Sequence, residues 1–258
     1  MARSALVHPC TSQMGVFQQP QRGLYMRLRK KPWVSGALAE YSDIVLIKDL
    51  LCAKNLAAGA NLGDEIKKTG ESMKGQWHKI FGRTAPLHVE LGTGKGKFIS
   101  EMAERHPEIN FVGIESQQDV LYYVVQKVRE KQLTNVRLLV FDVDLLLEIF
   151  AAKEINRLYI NFCDPWPKVR HAKRRLTHVD FLDKYSIVLA DGGEIFFKTD
   201  NKILFDFSLM QFAEKNLVMD KVTFDLHESH FTDNVMTEYE TKFSGMGTKI
   251  NRCEITFP

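Results

Sequence analysis

Apolar residues along this chain gather in strand-length runs, and between the runs apolar positions recur at helical spacing. The pattern is regular from Leu87 onward. Strand-like runs occupy Leu87 to Leu91, Phe111 to Glu115, Val136 to Phe141, Leu158 to Phe162 and Glu194 to Lys198. Helix-period segments lie around Phe98 to Arg105, Val120 to Lys131, Leu145 to Ala152 and Phe181 to Leu189. Such alternation predicts an α/β fold with a parallel sheet wrapped by helices. A further helix near Phe205 to Lys215 precedes two strand candidates, Val218 to Leu226 and Lys249 to Phe257, which a closing hairpin would pair.

The segments before Leu87 are less regular. Residues 1–25 are polar, glutamine-rich and aperiodic, which fits a flexible extension, a cloning scar or an overlong start, with Met26 a candidate initiator. Residues 26–86 form an N-terminal arm. It carries a basic stretch from Arg27 to Lys31, then Trp33, and an insertion at 51–75 whose composition suits irregular or weakly helical structure. Residues 87–258 form the main domain.

With 258 residues, 26% charged and 45% hydrophobic, the chain has the composition of an ordinary globular protein with one substantial core. Its net charge is only +3, so a nucleic-acid footprint has to come from local clusters, at Arg27 to Lys31 and Lys168 to Arg175. Cys10, Cys52, Cys163 and Cys253 lie far apart without metal-ligand or disulfide-framework spacing. No apolar stretch has the length of a membrane span or of a signal peptide's core. The expectation is a cytoplasmic protein with no structural metal and no membrane partner.

The run Asn161-Phe162-Cys163-Asp164-Pro165-Trp166-Pro167-Lys168 leads directly into Arg170, His171, Lys173, Arg174 and Arg175. Its two prolines forbid a helix straight after the strand, so Asp164 and Trp166 belong on a loop at the strand's carboxyl end. Open α/β sheets bind ligands at that edge. A carboxylate and an indole hold a base by hydrogen bonding and stacking, while arginines and lysines suit phosphate oxygens. Alone, the basic cluster would be a solvated face. Beside a strand-end carboxylate it points to chemistry on a nucleic acid.

The segment His88-Val89-Glu90-Leu91-Gly92-Thr93-Gly94-Lys95-Gly96-Lys97 follows the first strand and opens its helix. Glycines at Gly92, Gly94 and Gly96 let the backbone turn tightly and approach a ligand closely. A dinucleotide fingerprint would need its third glycine at position 97, where Lys97 stands, and no nucleoside-triphosphate loop can be read. Glu90, two places before the first glycine, would attract a cationic amino-acid group, which suits S-adenosylmethionine. Glu115, roughly 20 residues beyond the glycines, is placed to take ribose hydroxyls. Asp142 ends the third strand, where a carboxylate could hold the adenine amino group. Singly, each carboxylate could equally cap a helix or end a loop. Three acidic strand ends in succession behind a glycine loop specify a cofactor site.

These blocks, together with Phe197-Lys198-Thr199-Asp200-Asn201 and Met236-Thr237-Glu238-Tyr239-Glu240, resemble the bacterial tRNA (guanine-N7)-methyltransferases of the TrmB type, within the class I S-adenosylmethionine-dependent methyltransferases. The similarity covers nearly everything from Met26 onward. It implies a Rossmann-like fold, a seven-stranded, mostly parallel sheet with helices on both faces and a C-terminal antiparallel hairpin strand. It implies that Glu90, Gly92, Gly94, Gly96, Glu115 and Asp142 bind the cofactor, and that Asp164 acts at the junction of cofactor and target base. Lys168, Arg170, Arg174, Arg175, Asp200, Thr237, Glu238, Tyr239 and Glu240 would meet the substrate. The implied reaction methylates N7 of guanosine 46 in the variable loop of tRNA, by a monomer or homodimer. Val169 departs from the family's usual basic residue, the 51–75 segment is longer, and residues 1–25 have no counterpart.

N7 of guanine carries an in-plane lone pair, so its methylation needs no general base. Asp164 is therefore expected to position the base by accepting hydrogen bonds from its N1 and N2 edge. Trp166 or Tyr239 would stack, or else pack beneath a loop, and His171 belongs to the basic face. The Arg27 to Lys31 stretch with Trp33 either closes over cofactor or RNA or forms an unbound arm. Competing functions are an exocyclic-amine methyltransferase, against which Trp166 displaces the second proline of that family's loop, and a noncatalytic RNA-binding module, which would have lost the acidic ligands. A nicotinamide oxidoreductase is disfavoured by the glycine spacing.

Overall fold

The computed structural model describes residues 31–47 and 71–257. Expectations placed on residues 1–30 and 48–70, including Met26, Cys10, Cys52 and most of the 51–75 insertion, lie outside the described residues; residues 71–73, within that insertion, are helical.

The strands are β1 (Val45–Ile47), β2 (Leu87–Leu91), β3 (Asn110–Glu115), β4 (Val136–Val140), β5 (Ile155–Asn161), β6 (Leu189–Thr199), β7 (Val218–Thr223) and β8 (Asn251–Thr256). They form one sheet in the order β1-β4-β3-β2-β5-β6-β8-β7. Neighbours run parallel except β8, which is antiparallel to both β6 and β7. The sheet thus has eight strands rather than the expected seven. The addition is β1, which pairs with the edge of β4, and three residues are too few to display a strand period. The closing pair is antiparallel as expected, but residues 224–250 intervene and carry a helix of their own.

The helices are α1 (Trp33–Ala39), α2 (Trp77–Phe81), α3 (Lys97–Arg105), α4 (Gln118–Glu130), α5 (Leu146–Ile149), α6 (Val179–Val188), α7 (Lys202–Glu214) and α8 (Glu238–Ser244). The helix expected around Leu145 to Ala152 is shorter, one 3-10 turn at Val143–Leu145 followed by α5. Among the described residues no helix is long and apolar enough to cross a membrane, and no three His, Cys, Asp or Glu side chains are placed to hold a metal.

Strand periodicity divides the core into two layers. On β5, Leu158 and Ile160 pack with α5, α6 and α7, whose Ile149, Tyr185 and Phe205 join the same cluster. Tyr159 faces the other layer, with α1, α3 and α4. Each fully buried Leu, Ile or Phe contributes about 1.5–3 kcal/mol relative to exposure. Along β2 and β5 the second layer also carries polar residues: His88 meets the Tyr159 hydroxyl at 3.1 Å, and Asn161 meets Glu90 at 2.9 Å. This polar row climbs to the carboxyl ends of β2 and β5, where the strand order reverses and open α/β sheets form their ligand crevice.

Candidate cofactor and nucleic-acid site

Glu90 is buried at the end of β2. Its Oε1 accepts a hydrogen bond from Asn161 Nδ2 at 2.9 Å, whereas among the described residues its Oε2 has no partner, and neither do the buried Asn161 Oδ1 and Thr93 Oγ1. Burial pushes the Glu90 carboxyl up to about 8, against the opposing influences of Asn161 and Lys198. Three buried oxygens, of a carboxyl, an amide and a hydroxyl, thus lack hydrogen-bond partners among the described residues. A buried acceptor without a donor is costly, and an ammonium group would satisfy this set. The residues therefore fit the cationic amino-acid end of S-adenosylmethionine.

The glycine loop folds back on β3, with the Gly92 and Thr93 N–H groups donating to Ile114 O at 2.8 and 3.1 Å. Among the described residues, a Cβ at Gly92 or Gly94 would meet no atom within 4 Å beyond its chain neighbours, so these two leave space for a ligand. Gly96 differs: a Cβ there would lie 2.5 Å from Val124 Cγ1. Its lack of a side chain serves the close packing of α3 on α4.

Glu115, at the end of β3, accepts from Gly94 N at 3.1 Å, Gln117 N at 3.0 Å and Ser116 Oγ at 3.3 Å. Burial raises its pKa, and these bonds oppose the shift. It thereby holds the glycine loop while remaining at the strand edge. Asp142 accepts from Asp144 N at 3.1 Å and caps the 3-10 turn after β4, so the capping alternative is realised at the same strand end.

Beyond β5 the chain forms the loop predicted by the prolines. Asp164 is exposed, as are Lys168, Arg170 and Arg174, and residues Val169–Arg174 form a 3-10 helix that presents the basic side chains. Val169 is 88% exposed among them. The Arg174 guanidinium lies 3.7 Å from the centre of the Trp166 ring, and His171 meets the same ring edge-on at 5.9 Å. Arg175, expected among the phosphate contacts, is only 6% exposed. It donates to the carbonyls of Pro165 and Trp166. Its side chain turns inward because its guanidinium packs on Phe207, at 4.3 Å.

The segment expected to touch substrate at Thr237 to Glu240 is bound into the protein by every side chain. Thr237 Oγ1 accepts from Glu240 N at 2.9 Å and caps α8. Glu238 accepts from Lys97 N with both oxygens, at 3.2 Å each, and pairs with Lys127 Nζ at 2.6 Å. The Tyr239 hydroxyl donates to Asp200 Oδ2 at 2.9 Å, and its ring lies 5.0 Å from Phe162. Glu240 is fully buried and accepts from Lys198 Nζ at 2.7 Å. Glu240 thus serves an internal ion pair rather than an open substrate surface, whereas Glu238 is engaged by Lys97 N and Lys127 while its side chain stays about a third exposed. Asp200 and Tyr239 remain partly accessible at the same edge.

A family profile described as a putative methyltransferase matches residues 84–253. A tRNA (guanine-N(7)-)-methyltransferase of Halalkalibacterium halodurans is 47% identical over 232 residues, spanning 90% of this chain and 96% of that protein. The chain belongs to this methyltransferase family. A Bacillus subtilis tRNA (guanine-N(7)-)-methyltransferase is 46% identical over 230 residues, 89% of this chain and 98% of that protein. Among solved structures, an antibiotic-related methyltransferase superposes with a TM-score of 0.53 at 16% identity, covering 71% of this chain and 92% of that one. The 16S rRNA methyltransferase KamB superposes with 0.53 at 12% identity, over 70% and 91%. These structures share the class I methyltransferase fold.

Within the family's fold, the sequence reading left several residues without a role. Asn161 and Lys198 fall on the Glu90 side of the sheet by two-residue alternation, a signal present in the strands themselves. Thr93 lay inside the glycine loop, where only the glycines drew attention. Lys127 donates to both Lys95 O and Glu238 and carried no local signal at all. Of the N-terminal basic stretch, Lys31 donates to Tyr123 and Trp33 packs edge-on against Tyr122, both on α4.

Proposed function

We propose that the protein transfers the methyl group of S-adenosylmethionine to N7 of a guanine in tRNA, and that the target is guanosine 46 of the variable loop. The observation that carries this reading is Glu90 Oε2, buried and without a partner among the described residues, as is Asn161 Oδ1, at the sheet edge from which the loop bearing Asp164 and the basic 3-10 helix projects. The near full-length similarity to curated tRNA (guanine-N(7)-)-methyltransferases supports the same substrate.

The cofactor, when bound, supplies an electrophilic methyl group. Glu90, Asn161 and Thr93 hold its ammonium group, and Glu115 and Asp142 line the edge for ribose and adenine. Lys168, Arg170 and Arg174 draw in the phosphate backbone, giving affinity without sequence choice. Asp164 accepts hydrogen bonds from the guanine N1 and N2 donors and so orients N7. No residue has to remove a proton, because N7 already presents its lone pair. Alignment is what the site provides, and well-oriented partners reach effective molarities of about 10⁵–10⁸ M.

The test is incubation with labelled S-adenosylmethionine and unmodified tRNA transcripts, followed by digestion to nucleosides. N7-methylguanosine that disappears when guanosine 46 is replaced supports the proposal. A different methylated nucleoside moves the target, and no transfer despite cofactor binding favours an RNA-binding module.

A further inference from the structure

Asp164 sits between two residues with left-handed backbones, Phe162 at φ +52° and Trp166 at φ +40°. Side chains of this size rarely adopt that conformation, and it persists only where surrounding contacts over-determine it. At the first end, Phe162 N donates to Lys198 O at 2.8 Å and the Phe162 ring packs on Tyr239. At the second end the holding group is Arg175. Its Nε and Nη2 donate to Pro165 O and Trp166 O, both at 3.1 Å, while its neighbour Arg174 points the opposite way, over the face of the Trp166 ring.

We propose that Arg175 is a positioning residue for methyl transfer, clamping the strained loop that presents Asp164 and making no contact with RNA. This rests on the functional reading above, in which Asp164 meets the guanine. A guanidinium is a planar fork that reaches two adjacent carbonyls at once, and an ammonium is a single point that does not reproduce this geometry. Without the fork, Trp166 relaxes out of the left-handed region and the Asp164 carboxylate shifts. A displacement on the order of 1 Å at a reacting centre costs about 10²-fold in rate. Phosphate contact, the role its sequence position suggests, would show in salt dependence instead, since each lost contact lowers the slope of log affinity against log salt by about one.

The experiment compares Arg175→Lys and Arg175→Met with Arg170→Ala, measuring kcat at saturating tRNA and S-adenosylmethionine, tRNA affinity over a salt series, and S-adenosylhomocysteine binding. Both Arg175 variants should lose about 10- to 100-fold in kcat with tRNA affinity, salt slope and S-adenosylhomocysteine binding unchanged, whereas Arg170→Ala should lower the slope by about one. Lysine keeps the buried positive charge and the long stem, so that variant decides the matter if methionine unfolds the protein. Full kcat in Arg175→Lys, or a salt slope reduced by about one in either Arg175 variant, overturns the proposal. If the wild-type protein does not methylate tRNA guanine at all, the functional reading falls first and takes this inference with it.

Discussion

Lys198 Nζ lies 2.7 Å from Glu240 Oε2, with the side chains 6% and 0% exposed. The same ammonium donates to Val235 O and Asn234 Oδ1, and Asn234 returns a bond to Glu240 Oε1. Burial lowers the Lys198 pKa from its ordinary value, and Glu240 opposes that shift. One strand tail, one loop and one helix thus meet in a single ion-paired cluster.

Removing one member of such a pair leaves a buried charge without compensation. Glu240→Ala should destabilise the protein by about 3–5 kcal/mol, and Glu240→Gln, which keeps hydrogen-bonding atoms in place, by less. Urea denaturation measures both. A loss below about 1 kcal/mol for the alanine variant would mean that the pair contributes little.

Glu238 supplies from another part of the chain the cap that α3 lacks, because its own cap position is Gly96. Through Lys127 it also reaches Lys95 O in the glycine loop. Glu238→Ala should cost about 0.5–2 kcal/mol of stability, the usual range for a lost cap. It should also weaken S-adenosylmethionine binding several-fold by loosening the loop. Calorimetric titration with unchanged affinity would refute the second part.

The raised Glu90 pKa sets a pH dependence. Because its folded value, about 8, lies above that of an unfolded carboxyl, the folded state holds the extra proton between about pH 4.5 and 8. The ligand-free protein should therefore lose stability as pH rises through that window, and Glu90→Gln should flatten the loss. The groups acting on Glu90 are Asn161, Lys198, Glu238 and Glu115, and a bound ammonium adds a cation that favours the charged form. Cofactor binding at pH 7 should then release protons, seen as a buffer-dependent binding enthalpy. Absence of proton release from the wild type would contradict this assignment.

The two kinds of glycine in the loop should separate under substitution. Gly96→Ala forces a Cβ against Val124 at φ +83° and should destabilise by about 1–3 kcal/mol or more. Gly94→Ala meets open space, although at φ +54°; it should cost less stability and more cofactor affinity. Thermal melts paired with S-adenosylmethionine titrations test the contrast, and equal profiles for the two variants would count against it.

The elements that position the site were legible because their signals are local. An apolar run such as Leu158 to Phe162, closed by Pro165 and Pro167, specifies a strand and the loop after it within a few residues. The glycines at 92, 94 and 96 and the acidic strand ends Glu90, Glu115 and Asp142 follow from spacing along the chain. What spacing left undecided was the direction in which equivalent residues turn. Arg174 and Arg175 are adjacent and chemically identical, yet one covers an indole and the other clamps two carbonyls, because only the second meets Phe207 of α7.

The sequence by itself therefore determined the alternating strands and helices, the loop at the end of β5 and the chemistry gathered at the sheet's edge, since periodicity, proline and glycine act on neighbouring residues. Tertiary structure alone decided that Val45–Ile47 joins the sheet, that Glu240 is buried on Lys198, and that Glu238 caps a helix 141 residues earlier in the chain. Those outcomes depend on which surfaces exclude water from one another, and that is set by packing between elements distant in sequence.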